Sequence, residues 1–296
     1  MEITAKQVKE LRELTGAGMM DCKKALVETN GDMEKAVVYL REKGIASAAK
    51  KVSRIAAEGL VNVVFEGNIA ILYEVNSETD FVAKNERFLT LVESIGEALL
   101  KLMPESTEAA LAGTYKGKTI EETLKEATAS IGENIQLRRV TKVVKKDDET
   151  FGYYIHMGGS IVALTIVKGD EEVAKNIAMH VAALNPRYLS REDVEQSFID
   201  SEKQILLNQA LEQNKHEAKP KPENIIERIV EGRLNKQLEE ICLLEQAYVK
   251  DGDLKVKQYV KNENATITNY YRLAVGEGIE KRQEDFAAEV SGQIKA

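Results

Sequence analysis

The sequence has little of what ligand-binding proteins use for stacking or for metal coordination. Its 296 residues include no Trp, 5% aromatic residues, two cysteines and three histidines. Cys22 and Cys242 lie far apart and form no CxxC pair, and the histidines have no metal-ligand spacing, which argues against a zinc site. We therefore expect neither a metal nor another cofactor. The scarcity of aromatic rings also disfavours a protein that stacks bases or sugars.

The charge balance and the apolar runs indicate the cellular compartment of the chain and the class of its partners. It carries 41 basic and 49 acidic residues, for a net charge of −8, and an acidic chain repels phosphate backbones. No apolar run reaches the ~18 residues of a membrane span, and residues 1–6 lack the apolar core of a signal peptide. We expect a cytoplasmic, reduced protein whose partners are proteins, with no nucleic acid, no membrane and no small-molecule ligand of its own.

The first 44 residues have the pattern of three short helices. Thr4 and Gln7 form a capping box for the first, Met19 opens the second, and Asp32 caps a third that is expected to end at Gly44. Residues 1–44 are therefore predicted to form a separate three-helix module, followed by an Ala/Lys-rich helical linker at 45–58. The apolar stripe predicted for the first helix consists of Val8, Leu11 and Leu14.

The middle of the chain predicts an α+β core built twice. β-rich runs on both sides of Glu66-Gly67-Asn68 indicate a hairpin, and a helix with an apolar face follows. Residues 151–185 repeat this plan, and Val82-Ala83-Lys84-Asn85 corresponds to Val173-Ala174-Lys175-Asn176. We interpret this as an internal duplication, with a first half at 59–146 and a second half at 147–190.

The remaining chain predicts an insertion and an end module. Residues 191–250 contain two helical patterns separated by Lys219-Pro220-Lys221-Pro222, which predicts an antiparallel helical hairpin inserted into the core. Residues 251–296 are expected to finish the core and to form a C-terminal helical module, in which a strand from Tyr270 is followed by a helix that reaches Val290. A Gly276-Glu277-Gly278 turn separates the two.

The two halves of the predicted core differ in the loop between the hairpin and the helix. The first half has Asn76-Ser77-Glu78-Thr79-Asp80-Phe81 there, whereas the second has the polar Lys168-Gly169-Asp170-Glu171-Glu172. A loop normally carries polar residues, so Phe81 needs a reason. Either it folds back into the core of its own domain, or it protrudes and anchors a partner, as loop aromatics often do. The sequence leaves both alternatives open.

No segment has the residues of an active site. Gly113 to Thr119 comes nearest to a phosphate loop, but it has three residues instead of four before its Gly-Lys, and Thr119 with Glu122 fits a helix cap better. His156 and His180 have no carboxylate or thiol partner at motif spacing, so acid–base chemistry is not indicated. We expect a binding protein and not an enzyme.

Two long runs resemble the bacterial elongation factor Ts family. They are residues 11–26, LRELTGAGMMDCKKAL, and residues 74–84, EVNSETDFVAK, with supporting matches at 131–135, 178–183, 230–233 and 275–281. The resemblance implies a three-helix module like ubiquitin-associated domains, a duplicated α+β core, a helical hairpin and a C-terminal module. It also implies a guanine-nucleotide exchange factor that binds the GDP form of the GTPase elongation factor Tu, disturbs its Mg²⁺ site and promotes GDP release during translation.

The resemblance further assigns residues to this activity. It places one set beside the Mg²⁺ site of the partner GTPase: Thr79, Asp80, Phe81 and Val82. It gives other contacts with the partner to Met19, Met20, Ile131, Gly132 and His156. Two other classes remain as alternatives, a passive helical adaptor based on the N-terminal helices and a nucleotidase of the P-loop type based on 113–119.

Overall fold

The computed structural model describes residues 3–217 and 219–280, without the side chains of residues 45, 47 and 49. The described chain is α+β, with eleven α-helices and ten strands, which confirms the predicted class. It divides into two compact units. One contains the described residues of 3–144, 157–161 and 273–280, and the other contains 145–156 and the described residues of 162–272.

Three N-terminal helices open the first unit: α1 Ala5–Thr15, α2 Met19–Glu28 and α3 Met33–Ala49. The caps are as predicted, because Thr4 and Gln7 form the capping box of α1 and Asp32 accepts the Lys35 amide at the start of α3. The shared core includes Val8 and Leu11, whereas Leu14, the third residue of the predicted apolar stripe, is 72% exposed. Whether these helices are related to ubiquitin-associated domains stays a prediction.

The third helix does not end at Gly44, as the sequence predicted, but continues to Ala49. A Cβ atom on Gly44 would lie 2.8 Å from the Cβ of Ala129, so this glycine permits close packing against a later helix. Gly44 therefore serves a helix contact and not a helix end. Turns follow from Lys50 to Arg54, so the predicted linker 45–58 is helical only in its first part.

The first unit continues with the predicted hairpin and its helices. They are β1 Glu58–Glu66, β2 Ile69–Ser77, the short α4 Asp80–Ala83, α5 Glu86–Leu102 and α6 Thr107–Ala112. β1 and β2 pair antiparallel, with Val61 opposite Glu74. Below the sheet, Tyr73 and Phe88 are fully buried, and the Tyr73 hydroxyl donates to the Val92 carbonyl at 3.0 Å.

Residues 113–119, which come nearest to a phosphate loop in sequence, form a small hairpin and a helix cap. β3 Thr114–Tyr115 pairs with β4 Lys118–Thr119, and Thr119 with Glu122 caps α7 Ile120–Ile131 in a complete capping box. This confirms the cap interpretation of Gly113 to Thr119. α7 packs against α3, and β5 Gln136–Val144 then pairs antiparallel with β2 to give the sheet order β1-β2-β5.

The second unit has a similar order of elements. β6 Thr150–His156 and β7 Ile161–Lys168 are neighbours in a sheet, and α8 Glu171–Leu184 follows. The order agrees with that of the first unit, although the duplication itself stays a prediction. α9 Gln196–Lys215 and α10 Glu223–Ile241 then pack on each other through a small apolar cluster, which is the helical hairpin that the sequence predicted.

The described chain closes with β8 Ala247–Tyr248, β9 Asp251–Lys255, α11 Val256–Asn262 and β10 Thr266–Ala274. β10 completes the sheet order β10-β7-β6. The predicted turn at 276–278 is present. The helix predicted to reach Val290 and the C-terminal helical module lie outside the described residues, and the other predicted domain boundaries stay predictions.

Candidate partner-binding site

Phe81 lies on a helical turn of four residues, α4, between the first hairpin and α5. Its side chain is 82% exposed, so the alternative that places Phe81 in the domain core is wrong. The turn has an exposed face and a core-facing one. Phe81 lies on the exposed face, whereas Val82 is partly buried against the core cluster and Ala83 is buried. The core under this turn is therefore filled without Phe81.

Polar contacts fix the start of this turn. Thr79 is the N-cap of α4, and its hydroxyl oxygen accepts the Val82 amide at 3.3 Å. Asp80 is exposed and forms an ion pair with Lys84 at 2.6 Å. The hydrogen bond from Lys84 holds the pKa of Asp80 below its ordinary value. The turn thus presents an ionised carboxylate next to an exposed aromatic ring.

The segment after α7 lies beside this turn. The helix ends at Ile131, and Gly132 is its C-cap with φ of 95°, a conformation that glycine adopts without steric cost. The Gly132 carbonyl accepts the Lys51 ammonium at 2.7 Å. The next residue, Glu133, accepts the amides of Glu78 and Thr79, both at 3.0 Å. The predicted contacts at 79–82 and 131–132 are therefore neighbours.

Ile131 and Gly132 differ in how far they are exposed to a partner. Gly132 is exposed, whereas Ile131 is half-buried and packs against the core cluster of the first unit. A partner could contact the Ile131 backbone and part of its side chain. The role that the resemblance gives to Ile131 and Gly132 stays a prediction.

Two exposed methionines form the other predicted contact in the first unit. Met19 and Met20 begin α2 and are 58% and 75% exposed. Just before them, the Gly16 carbonyl accepts the guanidinium of Arg87 at 3.2 Å. Arg87 is the second residue of α5, so one hydrogen bond joins the N-terminal helices to the element that follows the Phe81 turn.

His156 belongs to the second unit and is described there by itself. It is the last residue of β6, it is half-buried, and its ring centroid lies 5.9 Å from that of Tyr154. Its assigned contact with the partner stays a prediction.

The other described histidine of interest, His180, is fully buried. Its Nε2 lies 2.9 Å from Gln246 Oε1, and its Nδ1 accepts the Val249 amide at 3.1 Å. It is therefore a core histidine whose two ring nitrogens both have hydrogen-bond partners.

Sequence reasoning missed two of the residues that organise this region. Glu133 and Arg87 each make contacts across more than fifty positions of the chain. No local spacing reveals such pairs. The only available signal was that residues 131–135 resemble a family motif, which does not say what the glutamate binds.

Three further observations apply to the part of the chain that the structure describes. Within residues 3–217 and 219–280 no group of three or more His, Cys, Asp or Glu side chains is placed to hold a metal ion. Over the same residues, no helix has both the length and the apolar character that crossing a membrane requires. Cys22, which has two lysines after it in the sequence, is fully buried.

A comparison with protein families matches a segment of the chain that contains most of these features. Residues 78–277, about two thirds of the chain, match the sequence model of the family described as elongation factor TS. The matched part begins at the Phe81 turn and includes the Glu133 segment, the helical hairpin and the Gly276 turn. The chain therefore belongs to the elongation factor Ts family, whose members are nucleotide exchange factors of translation elongation in protein biosynthesis.

Proposed function

We propose that the chain is a guanine-nucleotide exchange factor that binds the GDP form of elongation factor Tu, disturbs its Mg²⁺ site and promotes GDP release in the cytoplasm. The observation that carries the proposal is Phe81, a large apolar side chain held 82% exposed on a capped turn. Such a side chain contributes little packing to its own chain and gains free energy when another protein buries it. Family membership supplies the class of partner.

The Mg²⁺ site is the sensitive point of the partner. Mg²⁺ requires nearly ideal octahedral coordination and tolerates little displacement of its ligands. A wedge formed by Asp80 and Phe81 would shift the elements that hold the ion and loosen the nucleotide without touching it. Thr79 and Val82 support this wedge from its two ends, through the cap and through packing on the core.

The energetics require more than one contact. Nanomolar nucleotide affinity corresponds to about −12 kcal/mol, and a ~10⁴-fold faster release requires about 5.5 kcal/mol of barrier lowering. Burial of one Phe supplies ~1.5–3 kcal/mol. Binding is reciprocal, so a factor that weakens GDP binding must bind the nucleotide-free GTPase more tightly by the same ratio. Phe81 therefore needs help from other contacts.

We assign that help to the remaining predicted residues. Met19 and Met20 are exposed, and the unbranched, adaptable side chain of methionine suits a protein interface. Gly132 is exposed beside the Phe81 turn. Ile131 and His156 complete the proposed set. Exchange makes and breaks no covalent bond, so the chain needs no catalytic residues and we propose that it is not an enzyme.

Release of a fluorescent GDP from elongation factor Tu, followed by stopped flow at increasing concentrations of the chain, tests this proposal. We expect a large, saturable acceleration. Repeating the titration after chelation of Mg²⁺ tests the mechanism, and the acceleration should then shrink, because the ion no longer contributes to nucleotide binding. Equal acceleration with and without Mg²⁺ would refute the magnesium mechanism. Binding without any acceleration would instead identify a passive adaptor.

A further inference from the structure

The carboxylate of Glu133 makes three hydrogen bonds to one short stretch of backbone and side chain. Its Oε2 accepts the amides of Glu78 and Thr79, both at 3.0 Å, and its Oε1 accepts the Thr79 hydroxyl at 2.7 Å. Glu133 is half-buried, and these contacts face its own chain. The Glu133 side chain therefore holds another segment of its own chain.

The contact is reciprocal and includes a third segment. The Glu78 carboxylate accepts the Asn134 amide at 2.7 Å. The side-chain amide of Asn134, which is buried, donates to the carbonyls of Val52 and Arg54 at 3.2 and 2.8 Å. The start of the Phe81 turn is thus tied to the end of α7 and to the chain that follows α3. We call the pair Glu78 and Glu133 the carboxylate clamp.

The Phe81 turn needs such support because it cannot hold itself in place. A helix of four residues is far below the ~12–15 residues at which an isolated helix becomes marginally stable. With 82% of its surface exposed, the Phe81 ring also gives the turn little packing of its own. The orientation of the turn must come from packing at Val82 and Ala83 and from the hydrogen bonds at Thr79.

Glu133 controls the hydroxyl that caps the turn. Because the Thr79 hydroxyl donates its hydrogen to Glu133, its oxygen lone pairs are left to accept the Val82 amide. A carboxylate acceptor strengthens this arrangement, since hydrogen bonds to charged groups are stronger than neutral ones. The direction in which Phe81 leaves the surface therefore depends on a residue that does not need to touch the partner.

We propose that Glu133 is a positioning residue for nucleotide exchange, which presets the Asp80-Phe81 turn so that Phe81 enters the partner without first being ordered. The inference rests on the proposed function. Groups that are ordered before binding avoid the entropy cost of ordering in the complex. Loss of the clamp should therefore slow exchange while the protein stays folded.

A double-mutant cycle in the full-length chain tests this role. Glu133→Gln keeps the size of the side chain and removes its charge, and we expect GDP release from elongation factor Tu to slow about tenfold, which corresponds to about 1.4 kcal/mol. In a Phe81→Ala background the same substitution should cost less than about twofold, because there is no ring left to position. Glu121→Gln, on an exposed residue of α7 that pairs with Lys125, is the matched control and should exchange like the unaltered chain.

A second readout follows the clamp in the free protein. Backbone hydrogen exchange over residues 78–84 should become faster in Glu133→Gln and stay unchanged in Glu121→Gln. Thr79→Val, in which valine has nearly the same shape as threonine and no hydroxyl, should also make hydrogen exchange over residues 78–84 faster, whereas Thr79→Ser should not. These measurements need no partner.

The outcomes separate the two proposals. If the unaltered chain accelerates GDP release and Glu133→Gln does so equally well, positioning is wrong and the exchange function stands. If Glu133→Gln slows GDP release by the same factor in the unaltered chain and in the Phe81→Ala background, positioning is also wrong, since this result indicates a general structural defect. If the unaltered chain does not accelerate release, the proposed function fails and the inference fails with it, even where hydrogen exchange reveals a clamp.

Discussion

Replacing Phe81 by alanine separates a partner-binding role from a structural one. The ring is 82% exposed, so its removal should change the free energy of unfolding by less than ~0.5 kcal/mol, as is usual for surface positions. If the partner buries the ring, the loss of ~1.5–3 kcal/mol should slow catalysed GDP release roughly tenfold to hundredfold. The expected signature is a large kinetic effect with almost no effect on stability.

Phe88→Ala provides the matched control, because Phe88 lies seven positions later in the chain and is fully buried in the core of the same unit. That substitution should cost ~3–5 kcal/mol of stability. Thermal unfolding and stopped-flow exchange would be measured on both variants. The reasoning is refuted if Phe81→Ala unfolds as early as Phe88→Ala and its exchange loss follows the unfolded fraction. It is equally refuted if Phe81→Ala exchanges at the unaltered rate.

Three further predictions concern the chain by itself. Calorimetry should detect no saturable micromolar binding of GDP or GTP, because residues 113–119 form a hairpin and a helix cap. Burial lowers the pKa of His180, so the unfolded chain binds its proton at higher pH. The stability contribution of His180 should therefore be fully present above about pH 6.5 and fall as the pH decreases below that value, by at most about 1.4 kcal/mol per pH unit. Urea unfolding at several pH values should show this dependence of the unfolding free energy on pH in the unaltered chain and a smaller one in His180→Gln. Glu74 is fully buried and accepts hydrogen bonds from Arg138 and Arg139, whose side chains are 26% and 27% exposed. Glu74→Ala should therefore lower the free energy of unfolding by about 1.5–3 kcal/mol, the range for hydrogen bonds to charged groups, and full stability of this variant in urea would contradict the ion-pair assignment.

Features that depend on neighbouring residues could be predicted from the sequence. The capping boxes at Thr4 and Thr119 join residues three positions apart, so the pattern alone locates the helix starts. The hairpin around Gly67 and the apolar face of α5 follow from alternation and from helical period in the same way. The contrast between the two loops also indicated that Phe81 was unusual.

Features that depend on distant residues were decided by the tertiary structure. Gly44 looks like a helix end, yet it is a contact point with Ala129, because the packed helix leaves no room for a Cβ atom. The exposure of Phe81 depends on the packing of the unit, because Phe88 and its neighbours fill the core without it. The support of Thr79 by Glu133 spans 54 positions, and nothing in local spacing encodes which carboxylate reaches which amide. The sequence determined the starts of the capped helices, the hairpin around Gly67 and the unusual position of Phe81. Only the packing of distant segments decided that Phe81 faces outward and that Glu133 hydrogen-bonds to the start of its turn.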